Sequence, residues 1–223
     1  MTRRRLGVVV IGQSPRREIV AQIAPYLGER VEIDLRGVLD GLTRNQIADL
    51  APTDGPDTLF TRLPDGDGVK LSKHAVEARA GGVIERMAAG GVTVTMLCCT
   101  GEFPTLTSGR VVLPSAVLCG IVAGLLPRGR LGIFIPLPEQ DQTLRDKWRR
   151  AGLEVVAEPL VPGSAAPTID AGACRMAAHA PDLVVMDCMS YDQATKDRVR
   201  QSVRAPVILA IAAAARIADE LLG

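Results

Sequence analysis

The two residues best suited to chemistry are cysteines that each follow an apolar segment. Cys99 comes after the apolar segment 92–97, and Cys188 comes directly after the segment 183–187. Ligands of open α/β sheets bind beyond the carboxyl ends of the strands, so we expect both thiols at a ligand site. With one sulfur as thiolate and the other as thiol, such a pair removes a proton from one face of a carbon atom and returns one to the other face.

Residues next to these cysteines offer groups that assist this reaction. Thr100 and Gly101 follow Cys99, and Ser190 lies two residues after Cys188. Their amides and hydroxyls can bring a free thiol, whose pKa is about 8.5, toward neutrality, and they can also bind a carboxylate. Because this chemistry needs no metal and no bound cofactor, we predict none.

The remaining cysteines are predicted to be structural. Cys98 precedes Cys99, and adjacent strand residues point to opposite sides, so Cys98 is expected to be buried. Cys119 and Cys174 fall within apolar helical patterns and are expected in the core. The sequence has no Cys-x-x-Cys pair and only two histidines, which argues against a zinc site or a disulfide framework.

Composition excludes several classes of protein. The 223 residues are 47% hydrophobic but only 3% aromatic, so the core must be built from Ala, Val, Leu and Ile. The 26 basic and 25 acidic side chains leave a net charge of +1, which provides no field that attracts nucleic acid. The apolar run 6–11 is too short for a signal peptide or a membrane span. We therefore predict a cytoplasmic protein that binds neither nucleic acid nor membrane.

Strand and helix patterns alternate along the chain. Strands are predicted at 6–11, 31–38, 92–97, 111–113, 131–135, 154–157, 183–187 and 206–209. Helices are predicted at 15–27, 43–50, 73–89, 115–126, 138–151, 168–180, 192–203 and 211–222. Two β-prone pieces within 58–71 flank a Pro-Asp-Gly-Asp-Gly turn and predict a hairpin. The alternation predicts an α/β fold with two pseudo-symmetric lobes, each a parallel sheet flanked by helices, with the hairpin inserted in the first. We place the lobes at 1–114, joined by helix 210–223, and at 115–209.

Three segments carry a resemblance to a known family. They read GQSPR at 12–16, LCCTGEF at 97–103 and DCMSY at 187–191. In this order and spacing they resemble the AroM family over essentially the whole chain. That family is similar to the aspartate/glutamate racemase superfamily, which includes hydantoin racemase, maleate isomerase and arylmalonate decarboxylase. Its name reflects an association with genes of aromatic (shikimate) biosynthesis.

The resemblance assigns roles to individual residues. Cys99 matches the first racemase cysteine and Cys188 matches the second. Gln13 and Ser14 stand where amino-acid racemases have Asp-Ser, so the acid is missing at that position. Thr100 and Gly101 replace Asn-Thr after the first cysteine, and Met189 and Ser190 replace Thr-His after the second. These exchanges change the groups that would orient an amino acid, so the resemblance does not fix glutamate or aspartate as substrate.

Further residues have both a binding and a structural interpretation. Ser14 either contacts the ligand or caps the first helix. Arg16, with Arg17, lies in the first turn of that helix and either binds an anion or is solvated. Gln140, at the start of a helix, either reaches the ligand or is an ordinary polar residue. Tyr191 either stacks on the substrate or packs under its loop.

The leading hypothesis is a cofactor-independent racemase, epimerase or isomerase of a small carboxylate, with Cys99 and Cys188 as opposed acid and base. The nearest variant is a decarboxylase that uses one of the two thiols. A different class is a noncatalytic binding protein for a small anionic metabolite of aromatic biosynthesis, and a further one is thiol redox chemistry. The partner in the leading hypothesis is a small carboxylate or another anionic metabolite, and a homodimer is left open.

Overall fold

Strands and helices alternate in a computed structural model that describes residues 4–106, 110–149 and 152–223. The strands are β1 (Arg4–Val10), β2 (Val31–Gly37), β3 (Thr58–Arg62), β4 (Gly68–Ser72), β5 (Val94–Cys98), β6 (Val111–Val112), β7 (Arg130–Ile135), β8 (Glu154–Pro159), β9 (Leu183–Met186) and β10 (Val207–Leu209). The helices are α1 (Arg17–Ile23), α2 (Arg44–Ala48), α3 (Lys73–Ala89), α4 (Pro114–Leu125), α5 (Asp141–Arg149), α6 (Ala166–Ala178), α7 (Gln193–Val199) and α8 (Ala210–Leu222). Short 3₁₀ turns cover Ala24–Tyr26 and Pro138–Gln140.

Contacts divide the chain into two compact units. Unit 1 comprises Met1–Ser115 with Ala214–Gly223, and unit 2 comprises Ala116–Ala213. The sheet of unit 1 has the order β2-β1-β5-β6, and its paired strands are parallel. The five residues from Leu6 to Val10 in β1 are all buried, as are all five residues of β5. Unbroken apolar runs of this kind are typical of strands covered on both faces.

The sheet of unit 2 repeats the topology of unit 1. Its order is β8-β7-β9-β10, and its paired strands are again parallel. In chain order, both sheets place the first strand between the second and the third, with the fourth outside the third. The predicted α/β fold with two pseudo-symmetric lobes is therefore confirmed.

The predicted hairpin is also confirmed. β3 and β4 pair antiparallel, with Leu59 opposite Leu71. Leu59, Leu63 and Leu71 are buried in the hydrophobic core of unit 1, together with Leu97 and Phe103 from the region around Cys99. The hairpin thus covers part of the core that supports the first cysteine.

The start of the first helix differs from the prediction. Ser72 and Asp192 accept hydrogen bonds as N-caps of α3 and α7. Ser14 does not cap α1, because that helix begins at Arg17 and its N-cap residue makes no side-chain cap. The amide and hydroxyl of Ser14 instead donate to Asp40. The capping interpretation of Ser14 is wrong for this reason.

Two cysteines are less buried than expected, and the first of them, Cys119 on α4, is half-buried. Cys98 is buried, as predicted, but Cys174 is exposed on α6, with its sulfur 3.7 Å from the hydroxyl oxygen of Ser202. The apolar pattern of α6 therefore does not extend to this face of the helix.

Among the described residues, no helix has the length and apolar character that crossing a membrane requires.

Asp57 joins the hairpin to the beginning of α3. Its carboxylate accepts hydrogen bonds from the backbone amide of His74, at 3.0 Å, and from the His74 imidazole, at 2.7 Å. Burial by itself raises the pKa of Asp57. The hydrogen bonds of the His74 and Ser72 side chains and the His74 amide outweigh this effect, so the pKa is lowered to about 2.

A lowered pKa in the folded state stabilises the fold above the unfolded value of 3.8, and this contribution is lost as the pH falls toward 2. We expect Asp57→Asn to unfold at lower urea concentration than the wild type at pH 6, with the difference shrinking as the pH falls from 4 to 2. Asp49→Asn, which removes an exposed carboxylate after α2, serves as control. A difference between Asp57→Asn and wild type that stays constant with pH would contradict this account.

Candidate active site

Each cysteine lies at the carboxyl edge of the parallel sheet of its own unit. Beside each cysteine, the order of the strands in that sheet reverses. In such sheets the crevice for a ligand opens where the loops after the first and third strands leave toward opposite faces. In unit 1 these strands are β1 and β5, and Val10 pairs with Cys98. The loops after β1 and β5 therefore begin at neighbouring positions of this edge. In unit 2 the strands are β7 and β9, with Phe134 paired to Met186.

Cys99 lies directly after β5, is half-buried and packs against the hydrophobic core of unit 1. The amide of Cys99 donates to the carbonyl of Leu97 at 2.8 Å. The amide of Gly101 donates to the sulfur of Cys99 at 3.4 Å. A hydrogen bond donated to sulfur stabilises negative charge on it, so the loop favours the thiolate that proton removal requires. Thr100 is buried beside it.

The loop after Cys99 is fixed to α3 by a buried acid. Glu77 accepts hydrogen bonds from the backbone amide of Thr105, at 2.8 Å, and from its hydroxyl, at 2.7 Å. Phe103 and Leu106, on either side of Thr105, are buried in the core. Glu77 is thus a positioning residue for this loop. The sequence analysis missed it, because nothing in an amphipathic helix pattern marks one glutamate as buried.

A second loop, residues 37–42, holds Gln13 and Ser14. The side-chain amide of Gln13 donates to the carbonyls of Leu39, at 3.3 Å, and Leu42, at 3.1 Å. The carboxylate of Asp40 accepts the Ser14 amide at 2.7 Å and the Ser14 hydroxyl at 2.8 Å. An acid therefore contacts Ser14 although the residue before Ser14 is glutamine.

Asp40 was not among the predicted site residues. The amide of Gly37 also donates to it, at 2.7 Å. The available signal was an aspartate three residues after a glycine at a strand end, which is typical of a turn in which the carboxylate accepts backbone amides. That signal predicts a local turn and gives no information about Ser14.

The side chain of Arg16 already has partners within unit 1. Its guanidinium is paired with the carboxylate of Glu18 and donates to the carbonyl of Arg62 at 3.3 Å. Arg17, by contrast, is exposed as the first residue of α1. The assignment of Arg16 to an anionic ligand remains a prediction, since such a ligand would compete with Glu18.

In unit 2, Cys188 follows β9 at the same position in the topology as Cys99 in unit 1. Its sulfur-bearing side chain is partly exposed, Met189 is buried and Ser190 is exposed. The amide of Asp187 donates to the carbonyl of Phe134 at 3.0 Å, which continues the pairing with β7 as far as the residue before Cys188.

A fully buried ion pair fixes the chain immediately before Cys188. The Asp187 carboxylate lies 3.0 and 2.9 Å from the ammonium of Lys147, and it accepts the indole N–H of Trp148 at 2.8 Å. The side chains of Lys147 and Asp187 are 4% and 0% exposed. Sequence analysis missed this pair, since Lys147 occupies a helix in which a charged residue is expected at the surface.

Tyr191 packs under the loop. Its ring is buried, and its hydroxyl donates to the carbonyl of Leu160 at 2.5 Å. Burial raises the pKa of Tyr191 well above the usual value, and the neighbouring Cys188 and Asp187 raise it further. The phenol is therefore a neutral hydrogen-bond donor. Of the two interpretations that the sequence left open, the geometry favours packing over stacking on a substrate.

Gln140 ends the 3₁₀ turn after β7, at the same edge of the sheet as Cys188. Its side-chain oxygen is buried and has no hydrogen-bond partner among the residues that the structure describes. A buried acceptor without a donor costs about 1–3 kcal/mol, so this oxygen is suited to accept a hydrogen bond from a ligand. The predicted binding role of Gln140 remains a prediction.

The described parts of the chain contain no cluster of three or more His, Cys, Asp or Glu side chains that is able to hold a metal ion.

A sequence model of a family described as "AroM protein" matches residues 6–222. The chain belongs to the AroM family. The resemblance drawn from the three sequence segments is thereby confirmed. Comparison with the sequences of curated proteins gives no match.

Solved structures similar to this AroM-family chain share its fold at low sequence identity. A glycine-to-cysteine mutant of arylmalonate decarboxylase, in a form associated with sulfate, has a TM-score of 0.67 at 14% identity, covering 98% of this chain and 93% of that one. Glutamate racemase from Francisella tularensis subsp. tularensis SCHU S4 in complex with D-glutamate has a TM-score of 0.59 at 13% identity, with 99% and 81% covered.

Maleate isomerase from Pseudomonas putida S16 with maleate has a TM-score of 0.60 at 12% identity, with 95% of this chain and 88% of that chain covered. At these identities the likeness establishes the fold, which is the one shared by the aspartate/glutamate racemases. The predicted relation to that superfamily is confirmed at the level of fold.

The buried ion pair before Cys188 gives a stability prediction. Lys147→Met leaves the Asp187 carboxylate buried without its cation, and we expect a loss of about 3–5 kcal/mol in the free energy of unfolding. The control is Arg149→Met on the same helix, which removes an exposed pair with Asp146 and is expected to cost at most about 1 kcal/mol. Urea unfolding at pH 7 measures both, and equal losses would refute a special role for Lys147.

Close packing around Gly37 gives a second stability prediction. A Cβ atom at Gly37 would lie 2.5 Å from a carboxylate oxygen of Asp40 and 2.7 Å from the amide nitrogen of Ser14. We expect Gly37→Ala to displace the Asp40–Ser14 contact and to lower stability by about 1–3 kcal/mol. Gly55→Ala, at a site with open space around the Cβ position, is the control. Thermal unfolding that leaves Gly37→Ala unchanged would contradict the contact.

Proposed function

We propose that this chain is a cofactor-independent racemase, epimerase or isomerase of a small carboxylate, with Cys99 and Cys188 as its acid and base. The observation that carries the proposal is the topological equivalence of the two cysteines. Each follows the third strand of a sheet of identical order, beside the loop that follows the first strand. The ligands named with two of the similar structures, D-glutamate and maleate, are small carboxylates.

In the proposed reaction, one sulfur begins as a thiolate and the other as a thiol. The thiolate takes the proton from the carbon next to the carboxylate, and the C–H electron pair is delocalised onto the carboxylate oxygens. The thiol of the other cysteine then donates its proton to the same carbon. The substrate's proton count is unchanged, and the two sulfurs have exchanged roles.

Residues beside each cysteine support particular roles. Gly101 stabilises the thiolate of Cys99 through its amide. Thr100, Ser190 and the side-chain oxygen of Gln140 are proposed to bind the substrate's polar groups. Gln13 and Ser14 are proposed to do the same from the loop after β1, with Asp40 orienting Ser14.

Deuterium exchange tests the proposal. The wild type, Cys99→Ser and Cys188→Ser are incubated in D₂O with enantiomerically pure small 2-substituted carboxylates, and exchange at carbon is followed by NMR and inversion by polarimetry. We expect inversion with deuterium incorporation by the wild type and a loss of at least about 100-fold in each variant. Cys174→Ser, which alters an exposed cysteine on α6, is the control and is expected to retain full activity. Full activity in both Cys99→Ser and Cys188→Ser would refute the site.

A second candidate is a decarboxylase that uses one thiol. The observation behind it is that arylmalonate decarboxylase shares this fold, with a TM-score of 0.67 at 14% identity. Release of CO₂ from a phenyl-substituted malonate, lost in only one of the two cysteine variants, would select this candidate. Saturable binding of a carboxylate without exchange or CO₂ release would instead select a noncatalytic binding protein, for which the aromatic pathway is the expected source of the ligand.

A further inference from the structure

Unit 1 contains a groove of about 610 Å³ in which none of the predicted site residues is among the described lining residues. One wall is the face of α3 that carries Ala78, Arg79, Gly82 and Arg86, and the opposite wall is the end of β2 with the turn that follows it. The volume lies within the range of small-molecule sites, about 300–1,000 Å³. The groove is large enough for a metabolite.

Charge in the groove is predominantly positive. Four arginines line it, at positions 5, 36, 79 and 86, and the acids that line it are Asp34 and Asp40. The carboxylate of Asp40 already accepts three hydrogen bonds from Ser14 and Gly37. Two positive charges thus remain beyond the two negative ones, which matches a dianion.

Most of the guanidinium groups are held in place. Arg5 and Arg36 both bind Asp34, at 2.8 Å each, and Arg5 also donates to the carbonyl of Gly90. Arg79 donates its Nε to the carbonyl of Val38 at 3.1 Å, which leaves its terminal nitrogens for another partner. Ordered guanidinium groups lose little conformational freedom on binding, and their planar donor arrangement matches phosphate oxygens.

Arg86 also lines the groove. Its carbonyl accepts the Gly90 amide at 3.1 Å, whereas its guanidinium has no hydrogen bond or ion pair among the described residues. It lies seven residues after Arg79, so the two arginines are about 10 Å apart along α3. Gly82 and Val83 lie between the two arginines and line the groove, with Ala78 just before Arg79.

We infer that this groove binds a phosphorylated small molecule, with Arg79 and Arg86 as its principal ligands. The inference is independent of the chemistry proposed for Cys99 and Cys188. Its consequence for that site rests on the proposed function: Gly37, Val38 and Asp40 line the groove, and the turn they belong to holds Gln13 and Ser14. A bound phosphate therefore acts on the turn that orients these two residues.

Thermal unfolding with sodium pyrophosphate as probe tests the inference. At a pyrophosphate concentration well above Kd we expect the Tm of the wild type to rise by about 3 °C relative to sodium chloride of equal ionic strength. The double variant Arg79→Gln/Arg86→Gln is expected to lose this rise. Arg200→Gln/Arg204→Gln, which removes the same charge from exposed positions of unit 2, is expected to keep it. Arg86→Gln alone, which breaks no described contact, is expected to weaken binding about tenfold and covers the case in which the double variant fails to fold.

Several results would overturn the inference. These are no rise in the wild type, an equal rise in Arg79→Gln/Arg86→Gln, or loss of the rise in Arg200→Gln/Arg204→Gln. An equal rise with sodium succinate would overturn the assignment to phosphate. Amide shifts in ¹H–¹⁵N spectra are expected at Gly37, Val38 and Gly82, and shifts confined to other regions would refute the location. Cys99→Ser and Cys188→Ser are expected to bind pyrophosphate normally, so failure of the proposed catalytic function leaves this result intact.

Discussion

The order of the parallel strands is the constraint on which the candidate site depends. Each sheet places its first strand between the second and the third, so the connections that leave the first and third strands depart toward opposite faces. In unit 1 the hairpin packs onto this point, with Thr61 against Gly12 and Leu59 against Gly101. Cys99 and Cys188 each follow the buried third strand of their own sheet.

A reactive side chain on a loop needs a rigid support, and each unit supplies one with a buried carboxylate. Glu77 holds the loop after Cys99 through Thr105, and Asp187 holds the chain before Cys188 through Lys147 and Trp148. Inside a protein such contacts are strong because water does not compete for them, and a missing partner is correspondingly costly. The same arrangement therefore stabilises the fold and limits the movement of the thiol.

The turn at 37–42 connects two features of unit 1. On one side it binds Gln13 and Ser14, and on the other it forms part of the arginine-lined groove. Asp40 takes part in both features, since its carboxylate accepts hydrogen bonds from Ser14 and Asp40 also lines the groove. An acid contacts Ser14 in this chain although the residue before Ser14 is glutamine, and the oxygens of that carboxylate are already hydrogen-bonded.

The sequence by itself determined what depends on neighbouring residues. Apolar runs predicted the buried strands, Ser72 predicted the start of α3, and the Pro-Asp-Gly-Asp-Gly turn predicted the hairpin. The segments around Gln13, Cys99 and Cys188 identified the family. These features are local, because burial period, capping and turn conformation are all set within a few residues.

Only the tertiary structure decided the strand order and the pairing of distant polar groups. Ser14 and Asp40 are 26 residues apart, and Lys147 and Asp187 are 40 apart. The first of these contacts engages the side chain of Ser14, which therefore does not cap α1, and the second supports the chain before Cys188. The position of a charged residue in the sequence does not identify the residue that it pairs with. That partner depends on which strands and helices lie side by side in the fold.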